Sequence, residues 1–245
     1  MERNIRLIIE YEGTDYAGWQ VQDNANTVQQ VLEEAIRSVT EEKSRLTGSG
    51  RTDSGVHARG QMANFFTHSK IPIERISYAL NASLPADIRI VEAVEADLSF
   101  HAQYHAKRKE YRYTLHTGPH GTALDRRTCV HARGPLDMEA MEAAAKALLG
   151  THDFAAFKGA GSSAKTTVRT VYRAEWTQEG DKLYFDIVGN GFLYNMVRII
   201  VGTLIEVGRG KRSPEDMAAL LAPADRDAAG PTAPAKGLCL MRVYY

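Results

Sequence analysis

Residues 4–12 read NIRLIIEYE, with Ile5, Leu7, Ile9 and Tyr11 on alternate positions. A period of two puts those four side chains on one face of a strand, and Asn4, Arg6, Ile8 and Glu10 on the other. The period then changes. In residues 27–39, TVQQVLEEAIRSV, the apolar positions Val28, Val31, Leu32, Ala35, Ile36 and Val39 recur at intervals of three and four, which predicts an amphipathic helix. Thr27 stands at its N-cap with Gln30 three residues on, the spacing of a capping box.

Outward from this strand and helix, strands are expected at about Ser44–Gly48 and Gly60–Thr67. A short helix over Glu74–Asn81 ends before Leu84-Pro85, and Ile88–Val94 reads as a further strand. The order is β-α-β-β-α-β. It recurs in the second half, without visible identity of residues. Lys107–His116 alternates, with Tyr111, Tyr113 and Leu115 facing one way, and Asp137 caps an Ala-rich helix that stops at Gly150. Strands over Thr167–Thr177 and Lys182–Gly189 precede a long apolar helix, Phe192–Val207. Ser213-Pro214-Glu215-Asp216 starts a small helix, and Leu238–Tyr244 closes as a strand. This predicts an α+β fold of two split-βαβ, ferredoxin-like halves, 1–104 and 105–245, joined through a largely antiparallel sheet. Helices cover one face, and the other is left as a platform of the kind that reads single-stranded RNA.

The 245 residues carry 30 basic and 30 acidic side chains, which argues against a non-specific nucleic-acid coat but not against a local basic surface. Between His105 and Arg133 the cations Lys107, Arg108, Lys109, Arg112, Arg126, Arg127 and Arg133 face only Glu110 and Asp125. Lys165, Arg169 and Arg173 follow without an acid between them. Such clusters suit an anionic polymer or a plain solvated face. Two distant cysteines, Cys129 and Cys239, have no metal-ligand spacing and fit reduced core thiols. No window reaches the ~18 apolar residues of a membrane span. The start, MERNIRLIIEY, is too charged for a signal peptide, so the cytoplasm is the expected location.

The stretch GSGRTDSGVHARGQ, residues 48–61, sets Arg51, Asp53 and His57 among Gly48, Gly50, Gly55 and Gly60. Asp53 at such a tip either closes its own Asx-turn or is aimed into a cleft, and His57 is either a packing or turn histidine or a general base. In MVRIIVGTLIEV the charge of Arg198 stands early in an apolar helix, and Glu206 is too far along to reach it. Arg198 therefore either snorkels to solvent or takes a long-range carboxylate, Asp53 being the acid most in need of a fixed cation. Paired in that way, Asp53 would stay ionised, the state of a nucleophile or base. Tyr111 and Tyr113, amid the cations of KRKEYRYTL, would each suit stacking on a nucleobase or plain sheet packing.

Read together, GRTDSGVHA, the KEYRY strand and NMVRIIVGTLIEVG resemble the tRNA pseudouridine synthase A family. EYEGTDYAGWQ (Glu10–Gln20), NASLPADI (Asn81–Ile88), FHAQYHAKRKEYRY (Phe100–Tyr113) and GLCLMRVYY (Gly237–Tyr245) extend the resemblance over nearly the whole chain. It implies isomerisation of uridine to pseudouridine at positions 38, 39 and 40 of tRNA, by a homodimer without cofactor or metal. It also implies Asp53 as nucleophile, Arg198 as its partner, Tyr111 against the substrate base and Arg51 helping to extrude that base. Lys107, Arg108, Lys109, Arg126 and Lys165 are candidate phosphate contacts, and His57 a candidate substrate contact. Where the family often carries histidine before the MVR segment, Tyr194 and Asn195 stand here, and no role is assigned to them. A non-catalytic RNA-binding module and a base-releasing hydrolase are the alternatives.

Overall fold

The computed structural model describes residues 1–162, 164–222 and 225–245. Its elements begin with β1 (Arg3–Tyr11), α1 (Val28–Thr40), β2 (Thr47–Gly48), β3 (His57–Thr67), α2 (Ile73–Ser83) and β4 (Ile88–Ala96). Next come β5 (Arg108–His116), β6 (Val130–His131), α3 (Met138–Lys146), β7 (Gly150–Asp153), β8 (Val168–Glu179) and β9 (Lys182–Gly189). The helices α4 (Met196–Gly208) and α5 (Pro214–Ala219) precede the last strand, β10 (Leu238–Tyr244). The class is α+β, as expected. Contacts divide the chain into two compact units, Met1–Lys107 with Cys239–Tyr245, and Arg108–Leu238.

In the first unit the strand order is β4-β1-β3-β10, with β2 also on β3. β1 runs antiparallel to β3 and β4, whereas β10 lies parallel to β3 through Cys239↔His57 and Leu240↔Ala58. The alternation read in β1 holds: Ile5, Leu7 and Ile9 are fully buried and Tyr11 nearly so. Val28, Leu32 and Ile36 of α1 and Ile76 and Leu80 of α2 are buried as well, each stabilising by about 1.5–3 kcal/mol. Thr27 Oγ1 accepts the Gln30 N–H at 3.4 Å, but Gln30 spends its own side chain on Glu34, so only half of the expected capping box forms. A complete box is made by Ser213 and Asp216 at α5.

The face opposite Ile5 and Leu7 is covered in part, while Phe66 and Glu92, paired on it with Asn4 and Ile8, stay exposed. Asn4 and Asn64 are buried there, with Asn64 Nδ2 donating to Asn4 Oδ1 at 2.8 Å. Asn4 donates to the carbonyls of Asp97 and Phe100, and Asn64 Oδ1 accepts the Ala102 N–H, all at 2.9 Å. Two buried carboxamides thereby pin the segment 97–102 across the sheet, and each finds the partners that a buried amide requires.

In the second unit β5-β9-β8-β7 are antiparallel neighbours, and the short β6 runs parallel to β5. Tyr113 and Leu115 share the buried face with Phe185 and Ile187. Two boundaries differ from expectation by a full turn of helix. The apolar helix starts at Met196 rather than Phe192, because Asn195 has φ +59°, a left-handed conformation no α-helix can run through. Gly150 does not end α3, which stops at Lys146; with φ +104° it opens the unforeseen β7.

The apolar helix α4 is covered on all sides. α3 packs on it, and the segment 230–233 crosses it as a strap. Gly202 lets the strap come close, since a Cβ there would stand 1.7 Å from the Pro231 carbonyl oxygen. Thr203 Oγ1 accepts the Gly230 N–H at 2.9 Å, and the Ala233 N–H donates to the Arg198 carbonyl at 3.0 Å. No helix among the described residues is long and apolar enough to cross a membrane.

Candidate active site

The glycine-rich loop of the first unit is short and heavily braced. The Asp53 carbonyl accepts the Val56 N–H at 3.1 Å, closing a turn whose third residue, Gly55, has φ +76°. Only glycine takes that conformation without strain. On the N-terminal side, the buried Thr52 gives its carbonyl to the Trp19 N–H at 3.1 Å and its Oγ1 to the Tyr11 hydroxyl at 2.8 Å. Burial holds the Tyr11 phenol well above its ordinary pKa, so it is a fixed neutral hydroxyl and not an acid–base group. Fully buried Gln61 of β3 accepts from Ser49 Oγ at 2.7 Å and donates to the Gly50 carbonyl at 3.0 Å. Asp53 thus sits half-buried at the tip of a loop fixed on both flanks.

Arg51, two residues before it, is exposed, and its Nε donates to Gln20 Oε1 at 3.2 Å. Gln20 Nε2 donates to Gln29 Oε1, and Gln29 donates in turn to Glu33 and to the Leu46 carbonyl. This relay runs from α1 to Arg51, and no sequence signal had marked Gln20, Gln29 or Glu33. His57 is 5% exposed, and its Nδ1 accepts the Gly13 N–H at 2.9 Å. His57, the candidate substrate contact, is buried at the start of β3, and from there it braces the end of β1.

In the second unit β5 carries the two tyrosines that the sequence left equal. Tyr113 is fully buried and donates its hydroxyl to the Pro234 carbonyl at 2.7 Å, which makes it a packing residue. Tyr111, 8% exposed, has its ring edge-on to Phe192 at 5.3 Å and 89°. Phe192 was read as part of a helix; it is instead an aromatic wall in the connection before α4.

Arg198 does not snorkel. The half-buried guanidinium donates from Nε to the Ala233 carbonyl at 2.8 Å and from Nη1 to Asn195 Oδ1 at 2.9 Å. Its charge is felt at Tyr113, where it opposes the upward push of burial on the phenol. Of these neighbours Asn195 was given no role from sequence, and Ala233 was not singled out at all.

The basic residues divide. Lys107, Arg108, Arg126 and Lys165 are exposed, and the Arg108 guanidinium lies 4.4 Å from the centre of the Tyr172 ring. Lys109 is half-buried, and burial pulls its ammonium pKa down to about 8, which separates it from the exposed phosphate candidates. Arg112 is held by both oxygens of buried Asp186 at 2.8 Å. Chemically, this chain offers a half-buried carboxylate on a braced loop in its first unit, and an aromatic edge and a clamped guanidinium in its second.

A family profile described as tRNA pseudouridine synthase matches residues 7–105 and 144–245. Among curated relatives, "tRNA pseudouridine synthase A" of Acetivibrio thermocellus is 54% identical over 243 residues, spanning 99% of this chain and 100% of that one. The protein of the same name from Citrifermentans bemidjiense is 53% identical over 244 residues, spanning 99% and 98%. That from Clostridium kluyveri is 50% identical over 243 residues, spanning 99% and 100%.

Proposed function

The chain belongs to the tRNA pseudouridine synthase family, and from that membership we propose that it isomerises uridine to pseudouridine at positions 38, 39 and 40 of the tRNA anticodon stem-loop. The observation that carries the reading beyond the family is the loop GRTDSGVHA, which holds Asp53 at a rigid tip between Thr52 and Val56. Asp53 is the nucleophile or base, Arg198 the cation that steers it, Tyr111 the contact of the base, and Arg51 the aid to extrusion. That assignment rests on motif resemblance, and the surroundings of each group within its own unit are compatible with it.

The reaction breaks the N1–C1′ glycosidic bond, turns the uracil, and joins C5 to C1′. The C5 proton leaves to solvent and N1 gains one, so no electrons are exchanged and no energy input is needed. An ionised Asp53 serves either route, by attack on C1′ to form an ester or by removal of the C2′ proton. The target base must first leave the stack, at a cost of a few kcal/mol that phosphate contacts from exposed cations offset. The same reading includes a homodimer around one tRNA arm and a cytoplasmic location.

The test is release of tritium from C5-labelled uridine in tRNAs with uridine only at 38, 39 or 40. A synthase frees the label and keeps the ribose intact. A binding module frees nothing, and a hydrolase leaves an abasic sugar; either result ends the proposal. Light scattering of the purified protein settles the dimer.

A further inference from the structure

We infer that Asn195 is a positioning residue that holds Arg198 in its working orientation. The inference rests on the proposed reading, in which Arg198 acts beside the nucleophile. Asn195 is the N-cap of α4, and asparagine at that position ordinarily turns its side chain onto the first free N–H groups of the helix. Here it makes no such bond. Its Oδ1 is given to Arg198 Nη1, at 2.9 Å, one turn into the helix.

The surroundings are shaped for that contact. Asn195 has φ +59° and ψ +3°, a conformation asparagine tolerates better than most residues and one that turns its carboxamide away from the cap. The space beside it exists because residue 159 is glycine: a Cβ there would come within 2.9 Å of both Asn195 Nδ2 and Tyr194 Cδ1. The Gly159 N–H fastens to the Tyr194 carbonyl at 2.8 Å, fixing the same turn. On the other edge of the guanidinium the Ala233 carbonyl accepts from Nε at 2.8 Å, and the Ala233 N–H returns to the Arg198 carbonyl at 3.0 Å. A planar group caught at Nε and at Nη1 cannot swing about its stem, so its remaining N–H groups point one way. Asn195 supplies one of those two catches.

The experiment uses Asn195→Gly, which keeps the left-handed backbone and deletes the acceptor, alone and combined with Arg198→Lys. Label release gives kcat and KM on an anticodon stem-loop, and Tm is followed alongside. We expect kcat to fall by ~10- to 100-fold, as for a slight misplacement of a catalytic neighbour, with KM and Tm close to those of the unaltered chain. In the Arg198→Lys background the same change should add little, and Asn195→Asp, which retains an acceptor oxygen, should keep most of the kcat. An impaired Arg198→Lys beside an unimpaired Asn195→Gly overturns the inference alone. So does a loss that multiplies in full on Arg198→Lys, or one that follows Tm. An inert wild type, or Arg198→Lys with full kcat, sinks the underlying reading and this inference with it.

Discussion

The hydroxyl groups of Tyr11 and Thr52 lie 2.8 Å apart in a buried setting, and Thr52 is the residue before Asp53. The end of the first strand is thereby tied to the backbone of the proposed nucleophile. Tyr11→Phe removes one partner and leaves Thr52 Oγ1 buried without it, a change that should cost about 1–3 kcal/mol. Chemical denaturation checks the stability. Label release should fall as well, because the loop loses a brace one residue from the reacting carboxylate.

Asp53→Asn keeps the size and turn-forming capacity of the side chain while deleting its charge. tRNA binding, followed by filter retention, should stay near that of the unaltered chain. Label release should drop by about a thousand-fold or more, as for removal of a nucleophile. Near-normal turnover in this variant would end the assignment.

Gly202→Ala probes the strap over α4. The added Cβ would collide with the Pro231 carbonyl, so either the strap or the helix has to shift. Overpacking of this kind costs about 1–3 kcal/mol, read as a lower Tm. Because Ala233 in the same strap holds Arg198 Nε, kcat should fall further than the stability loss alone explains.

Lys109 gives a pH signature. Its folded pKa is about 8 against 10.5 for the free side chain, so between those values the unfolded chain holds a proton that the folded chain does not. Stability should therefore rise as pH climbs from 8 toward 10.5, and Lys109→Met should abolish that rise and melt higher at neutral pH. Exposed Lys107 and Lys165 differ. Alanine at either should flatten the plot of log affinity against log salt by about 1, whereas Lys109→Met should leave the slope in place.

Much of this molecule was legible before any coordinates. Alternation in β1 and the three-four spacing in α1 name the buried faces, because a strand repeats every two residues and a helix every 3.6. The left-handed Asn195 was not legible: Phe192 to Val207 is apolar enough to read as one helix, and only the backbone angle shows where it breaks. The four-residue β7 was too short and too polar to carry a period. His57 and Lys109 look by chemistry like groups that face a substrate, and only the tertiary structure shows that one is buried and the other half-buried.

Local order in this chain follows from neighbours within a few residues, and its sequence carried most of that: which long segments extend, which coil, where the glycines bend the loop of Asp53. It could not say who meets whom. The parallel return of Cys239 to His57, the carbonyl of Ala233 on a guanidinium 35 residues earlier, and the two carboxamides that pin residues 97–102 all join distant positions. Periodicity encodes the face a side chain presents but not the partner that covers it. Close approaches such as that of Pro231 to Gly202 depend on a missing side chain, which leaves no pattern to read.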